Sequence, residues 1–390
     1  MLDIKANLSR ARLNRSEIAG SLGDLGTFLP LLIGMAAANG LDFAAGLFFA
    51  GLFSVVTGLL FSVPMAVQPM KAIAAIAIAQ GLSVPEVLAA GVGVSIVVVF
   101  LGTTGLIDAL NRAVPRSVVR GIQLAVGLSL LMKGVQMALG TGVLVGPDSN
   151  LTAALAAIVV IMLVLSRRVP AALVLFVAGI GLAIWKNPGL PGTLGLEPWL
   201  PSFNAPGWHD IVSAFPKAAL PQIPLTTLNS VIAVCALSGG LFPDRPIGPR
   251  RVALSVGAMN LVGAWFGAMP MCHGAGGLAA QYRFGARTNG SILFLGVVKM
   301  ALALTLGTSL MAWCVAFPAS ILGVMLVFSG AELAVVVRDQ TRRSDALTML
   351  ITAGASLGLS NIAIGFAIGL AFSACLRLVL ARSKNASDWS

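Results

Sequence analysis

The sequence predicts an all-α polytopic membrane protein, a 7+7 transmembrane inverted repeat whose third and tenth spans are half-helices meeting at the midplane. Three observations carry this. First, the 390 residues are 57% hydrophobic and 10% charged, with a mean hydropathy of +0.95. That leaves almost nothing for a soluble domain, and the long, unalternating apolar runs favour helices over a barrel. Second, two apolar stretches half a chain apart break in the same way: VPMAVQPMKAIAA at Val63–Ala75 and AMPMCHGAGGLAA at Ala268–Ala280. Interrupted spans at matching positions of two halves point to a transporter binding site. Third, the charge is placed by topology. The net charge of +11 sits in short arginine clusters between apolar runs, such as Arg112, Arg116 and Arg120, or Arg338, Arg342 and Arg343. These fit positive-inside loops better than a polyanion-binding surface, so no nucleic acid partner is expected.

In chain order, residues 1–17 form a basic cytoplasmic tail with no cleavage site. The first seven-span repeat covers 18–186. Its first span, about Ile18 to Ala38, carries Asp24 and Thr27. The second runs to about Phe61. The third is an extended piece followed by a helix from Pro69 to Gln80, with Pro69 in its first turn, where a missing N–H is tolerated. The stretch 187–217 is rich in Pro, Gly and Trp and forms an external linker, with Trp199 and Trp208 as interfacial anchors. The second repeat covers 218–381, and 382–390 is a second cytoplasmic tail. Seven crossings in the first half place the linker outside and every arginine cluster inside. An odd number also inverts the second half.

The inversion has a chemical consequence. Both half-helices, at Pro69 and at Gly274, begin near the midplane with their N-termini facing one cavity. Unpaired N–H groups and the macrodipole both favour an anion there. The candidate donors are the backbone of Met70, Lys71 and Ala72 and of Gly274, Ala275 and Gly276, where glycine permits close approach. The simpler alternative is that these glycines only let helices pack. Gln68 can donate through its amide, and its pseudo-symmetric match is His273 or Gly274. His273 donates either to the anion or to a backbone carbonyl. Lys71 contacts the anion or pairs with Asp24. An ammonium at membrane depth costs about 2.5–3.5 kcal/mol and is seldom idle. Asp24 is a candidate for coupling proton entry to anion entry, or else a structural partner. Glu332 faces the site or pairs with Arg338. Thr27, Thr227 and Asn229 complete an oxyanion cage or bond their own helices. Lys299 is expected at an interface or paired. The four cysteines lack metal-ligand spacing. No P-loop or HExxH motif occurs, so neither enzymatic activity, a metal nor any other cofactor is expected.

GDLGTFLP (Gly23–Pro30), PMAVQPMKAIAA (Pro64–Ala75) and PMCHGAGGLAAQYRFGAR (Pro270–Arg287) resemble the signature segments of the molybdate transporter family, a branch of the sulfate permease (SulP) superfamily. The resemblance implies a core domain of spans one to four and eight to eleven. A gate domain would hold the remainder. It implies uptake of molybdate, with sulfate as a related substrate, in a bacterial inner membrane, and a possible homodimer. Most sulfate permeases add a STAS domain. Here the chain stops at Ser390, soon after the last helix, as the molybdate branch implies. A different anion, or an anion channel, is the alternative.

Overall fold

Two broken spans meet in antiparallel fashion at the centre of the computed structural model, which describes residues 4–166, 169–307 and 309–382. The arginine pair at 167–168 and the terminal tail from 383 onward lie outside the described residues.

The expected N-terminal tail is instead helical, as α1 (Ile4–Arg10) and α2 (Arg15–Ser21). Glu17 explains the difference. It is buried, and its Oε1 accepts the backbone N–H groups of Arg287 (2.9 Å) and Thr288 (3.0 Å), tying the segment to the loop after the second broken span. The first half continues with α3 (Leu25–Asn39), α4 (Phe43–Leu60), β1 (Val67–Pro69), α5 (Lys71–Gln80), α6 (Val84–Thr104), α7 (Ile107–Ala113), α8 (Arg116–Leu139), α9 (Asn150–Ser166) and α10 (Ala171–Lys186). The second contains α11 (Trp208–Ala214), α12 (Leu220–Leu225), α13 (Ala233–Leu241), α14 (Pro249–Gly263), β2 (Met271–His273), α15 (Ala275–Arg283), α16 (Gly290–Leu306), α17 (Ser309–Ala316), α18 (Ala319–Val335), α19 (Arg343–Gly358) and α20 (Ile362–Arg382).

Among the described residues, seven helical runs are long and apolar enough to cross a membrane alone, or eight if α16 and α17 form one bent span. Other apolar helices are shorter, including α5, α9 and α10. The linker expected over 187–217 ends earlier, because Trp208 to Leu241 is one helical run. It widens into π turns at Phe215–Ala219 and Thr226–Ile232. Pro216, Pro221 and Pro224 lie in this run, and each removes an N–H from the helical ladder. Trp199 is not an interfacial anchor. It is buried against Phe48 and Phe49, and its Nε1 donates to Asp42 Oδ2 at 2.8 Å.

The helices sort into two bundles. In one, α4 packs on α16 and α6 on α14; in the other, α8 packs on α18, α19 and α20. The tight crossings use glycine reciprocally. A Cβ on Gly51 would meet Gly296 O, and one on Gly296 would meet Gly51 O; Gly127 and Gly330 show the same exchange. Small residues let backbones touch where lipid supplies no hydrophobic drive between helices.

Asp148, in the loop after α8, ties the two long helices of the second bundle together. Its Oδ1 accepts the Ser320 N–H at 2.9 Å, and its Oδ2 lies 3.3 Å from Lys186 Nζ. Burial opposes ionisation of Asp148, but the Ser320 donors and the Lys186 ammonium outweigh it and hold the carboxyl below its ordinary range. A depressed pKa contributes stability that is present above the unfolded value and lost as pH falls through the folded one. Thermal melts of Asp148→Asn should therefore lie below wild type at neutral pH. The two should converge below about pH 4. A constant gap across the series would contradict this.

Candidate anion site

The two strands are the exception to the all-α expectation, and they decide which side chains reach the cavity. β1 and β2 pair antiparallel, with Val67 opposite His273, Gln68 opposite Cys272 and Pro69 opposite Met271. Side chains alternate along a strand. Gln68 and Cys272 therefore share one face, while Val67 and His273 share the other. This corrects the expected match of Gln68 with His273 or Gly274.

The cavity on the Gln68 face has a volume of about 560 Å³. Gly26, Thr27, Gln68, Lys71, Asn229 and Gly276 are among the residues that line it, and it extends to Arg120 and Arg283. Ala275 and Gly274 line it as well, as does Glu332 from α18.

The second half-helix opens onto it. Gly274 is the N-cap of α15, and the first helical bond runs from Leu278 N to Gly274 O. The N–H groups of Ala275, Gly276 and Gly277 precede that bond, as in any first helical turn. Gly276 has no protein atom within 4 Å of an added Cβ. Gly274 and Gly277 are different. A Cβ on Gly274 would collide with Gln68 Oε1, and one on Gly277 would lie 2.7 Å from Gln68 Nε2 and 2.8 Å from Asp24 Oδ1. These two glycines let the helix start press onto a polar pair beneath it.

The first half-helix starts two residues later than expected. Pro69 ends β1, Met70 is the N-cap and Lys71 opens α5. Met70 is fully buried, and its N–H donates to Pro270 O at 2.8 Å, so it is not an anion donor. Ala72 N–H is taken too. Gln222 Oε1 accepts it at 2.9 Å and the Ile73 N–H at 3.3 Å, while Gln222 Nε2 donates to Thr226 at 2.9 Å. One helix end is thus capped by a carboxamide from the eighth span, and the two ends are not equivalent. What the first contributes is Lys71, which is half-buried on the cavity wall and forms no salt bridge among the described residues. The alternative of a Lys71–Asp24 ion pair is not what the structure contains.

Asp24 instead accepts from Gln68. It is 2% exposed, and Gln68 Nε2 lies 2.5 Å from its Oδ1 and 2.6 Å from Thr27 Oγ1. Both amide hydrogens are spent there. Gln68 Oε1, in a residue 1% exposed, has no hydrogen-bond partner. Gln68 therefore turns an acceptor, not the expected donor, toward the Gly274 helix start.

His273 does not face the cavity. It is fully buried, with Nε2 3.0 Å from Ser255 Oγ and Nδ1 3.3 Å from Ala66 O. Strand parity puts it on the far side, where it braces the crossing against Phe61. Thr227 back-bonds to Ile223 O at 3.0 Å and is likewise not a donor to the site. Glu332 lines the cavity exposed, and no ion pair among the described residues joins it to Arg338; the ion pair just beyond the end of α18 is instead Arg120–Asp339 at 2.5 Å.

Gln222, Cys272 and Ser230 take roles that the sequence did not assign, and a fourth residue, Lys299, was expected at an interface or paired. Gln222 caps α5. Cys272 lines the cavity, and Ser230 hydrogen-bonds to it. Lys299 is not at an interface: it is 2% exposed, its Nζ lies 3.6 Å from the centre of the Phe28 ring, and it faces Asp24. The usable signal for Gln222 was a lone carboxamide between two prolines in an apolar run.

Solved structures similar to this fold include an anion transporter and a bicarbonate transporter. The murine solute carrier 26 family member A9 anion transporter in its inward-facing state aligns with a TM-score of 0.71 at 16% identity, over 97% of this chain and 71% of that one. The transmembrane domain of the cyanobacterial bicarbonate transporter BicA gives 0.67 at 15% identity, over 92% and 97%. In sequence, the chain is 39% identical to molybdate transporter 2 of Arabidopsis thaliana, over 93% of this chain and 87% of the relative. It is 38% identical to molybdate transporter 1 of Chlamydomonas reinhardtii, over 94% and 92%. The family model described as molybdate transporter of MFS superfamily matches residues 16–130 and 214–333, which include both broken spans and the start of α3. The chain is therefore an integral membrane protein that belongs to the molybdate transporter family and has the fold of the sulfate permease and solute carrier 26 transporters.

Proposed function

We propose that this protein imports molybdate by alternating access, holding the dianion where the uncapped first turn of α15 meets the Lys71 ammonium. The carrying observation is that asymmetric pair of groups on one cavity wall: free N–H groups at Ala275 and Gly276, and a cation without a salt bridge at Lys71. Thr27, Asn229 and Ser230 lie on the same lining and offer further hydroxyl and amide donors. Asp24 is the coupling group for a proton, with Gln68 between it and the anion. The bundle of α4, α6, α14 and α16 acts as the core and that of α8, α18, α19 and α20 as the gate. The cavity extends to Arg120 and Arg283, which the positive-inside pattern puts on the cytoplasmic side, so this conformation faces inward. Both termini are then cytoplasmic, in a bacterial inner membrane. The two bundles make one complete protomer, and a dimer would pair two such units.

Titration of the purified protein with molybdate and with sulfate, wild type beside Lys71→Met, tests this. Molybdate should bind, sulfate should compete more weakly, and Lys71→Met should lose at least about tenfold in affinity, which is about 1.4 kcal/mol. A folded wild type that binds neither anion would refute the substrate. Equal binding of the two would leave a general oxyanion transporter.

A further inference from the structure

Gln68 is an amide held in the wrong sense for an anion site. Its oxygen is buried, unpartnered and packed on the helix start at Gly274, while both N–H bonds point away, to Asp24 and Thr27. A buried acceptor without a donor is destabilising. Next to a dianion it adds repulsion. A charged carboxylate explains the orientation, because it can only accept.

We propose that Gln68 is a proton-controlled amide switch: protonation of Asp24 inverts the carboxamide and turns its N–H groups toward the anion. The step balances simply. A proton arriving by way of the cavity adds to the Asp24 carboxylate, which is buried behind Gln68, and the new O–H donates to Gln68 Oε1. The amide turns about its terminal torsion, which exchanges oxygen and nitrogen without moving the chain. Thr27 follows at no loss, since a hydroxyl can accept from Nε2 in one state and donate to Oε1 in the other. Nε2 then occupies the position over Gly274 where the orphaned oxygen was. Anion and proton therefore bind with positive cooperativity, and each raises the affinity of the other by the same factor. This rests on the anion position proposed above and adds the device that links it to a proton.

The surroundings suit a group that changes charge. Lys299 of α16 and Lys71 of α5 are the cations facing Asp24, and Cys272 of β2 faces it as a thiol. On α15, Arg283 sits at the rim of the same cavity. Among neighbouring groups, α3 contributes no ionisable side chain. Glu17 of α2 is committed to the backbone of Arg287 and Thr288, and His273 to Ser255 and Ala66. Glu332 approaches from α18 on the Lys71 side. Lys71 and Lys299, which make no salt bridge among the described residues, can take up the field of an arriving dianion when Asp24 is neutralised.

The experiment is calorimetric binding to the purified full chain over a pH series and in buffers of different ionisation heat. Molybdate and sulfate are the probes; sulfate takes up no proton itself near neutrality. Wild type should absorb up to one proton per anion, and its affinity should fall by up to about tenfold per pH unit as pH rises. Asp24→Asn mimics the protonated acid. It should bind at every pH about as well as wild type at the acid end, without proton uptake. Gln68→Met should bind weakly with a flattened pH profile, and Thr27→Val should weaken binding with the slope intact. If Asp24→Asn does not fold, infrared difference spectra of wild type decide: anion binding must convert a carboxylate band to a protonated carboxyl band. Anion binding without proton uptake overturns the switch alone, as does an Asp24→Asn protein that keeps the wild-type slope. A folded wild type that binds neither anion overturns the site and the switch together.

Discussion

Gly276→Leu is expected to abolish oxyanion binding without destabilising the protein. Gly276 is the second residue of α15, lines the cavity, and has no protein atom within 4 Å of an added Cβ. A leucine there starts from an open Cβ position and extends into the cavity assigned to the anion. It blocks the approach to the free N–H groups and puts an apolar group where a dianion needs donors. Affinity should fall at least about a hundredfold, or about 2.7 kcal/mol. Replacing glycine in a helix meanwhile gains up to about 1 kcal/mol of helix propensity. The apparent melting temperature should hold or rise, which separates lost binding from misfolding. Gly277→Leu is the contrast, because its side chain would drive into Gln68, Asp24 and Ala66 and should cost binding and stability together. Binding by Gly276→Leu within about threefold of wild type, or about 0.7 kcal/mol, would move the anion elsewhere in the cavity.

Gln222→Leu should destabilise the protein by uncapping the start of α5. Its Oε1 is the acceptor for Ala72 and Ile73 N–H inside a buried crossing. Leucine keeps the volume and removes the acceptor. Each orphaned donor costs about 1–3 kcal/mol. The melting temperature should drop clearly, and Gln222→Glu, which retains the acceptor, should recover part of it. If Gln222→Leu melts with wild type, water or lipid satisfies α5 and the carboxamide cap is incidental.

The broken spans were legible because the chemistry that breaks a helix in lipid is local. Pro-Met followed by a small-residue helix, repeated half a chain apart, needs no partner to be recognised. Asp24, Lys71 and Gln68 stood out as polar groups in apolar runs; Lys71 and Gln68 line the cavity, and Asp24 is buried behind Gln68. Their roles were less visible. Lys71 looked like the partner of Asp24 because opposite charges are the obvious pair. The structure pairs Asp24 with an amide, which leaves the ammonium facing the cavity. The N-terminal segment looked like a tail because its charges are solvated in isolation. Glu17 became buried only by finding two backbone donors 270 and 271 positions away.

By itself the sequence determined that this chain lives in a membrane, that two of its spans break at membrane depth, and which polar residues lie near those breaks. These follow from hydropathy, from proline and glycine, and from the cost of burying charge, all of which act within a few neighbouring residues. The tertiary structure decided which way those residues face. The register that sets Gln68 opposite Cys272 sends His273 behind the site, and Gln222 silences one of two helix ends that looked equivalent. It also turns the Gln68 oxygen, not its nitrogen, toward Gly274. Side-chain direction, strand pairing and the filling of a cap depend on atoms brought together from distant parts of the chain, and no local pattern encodes them.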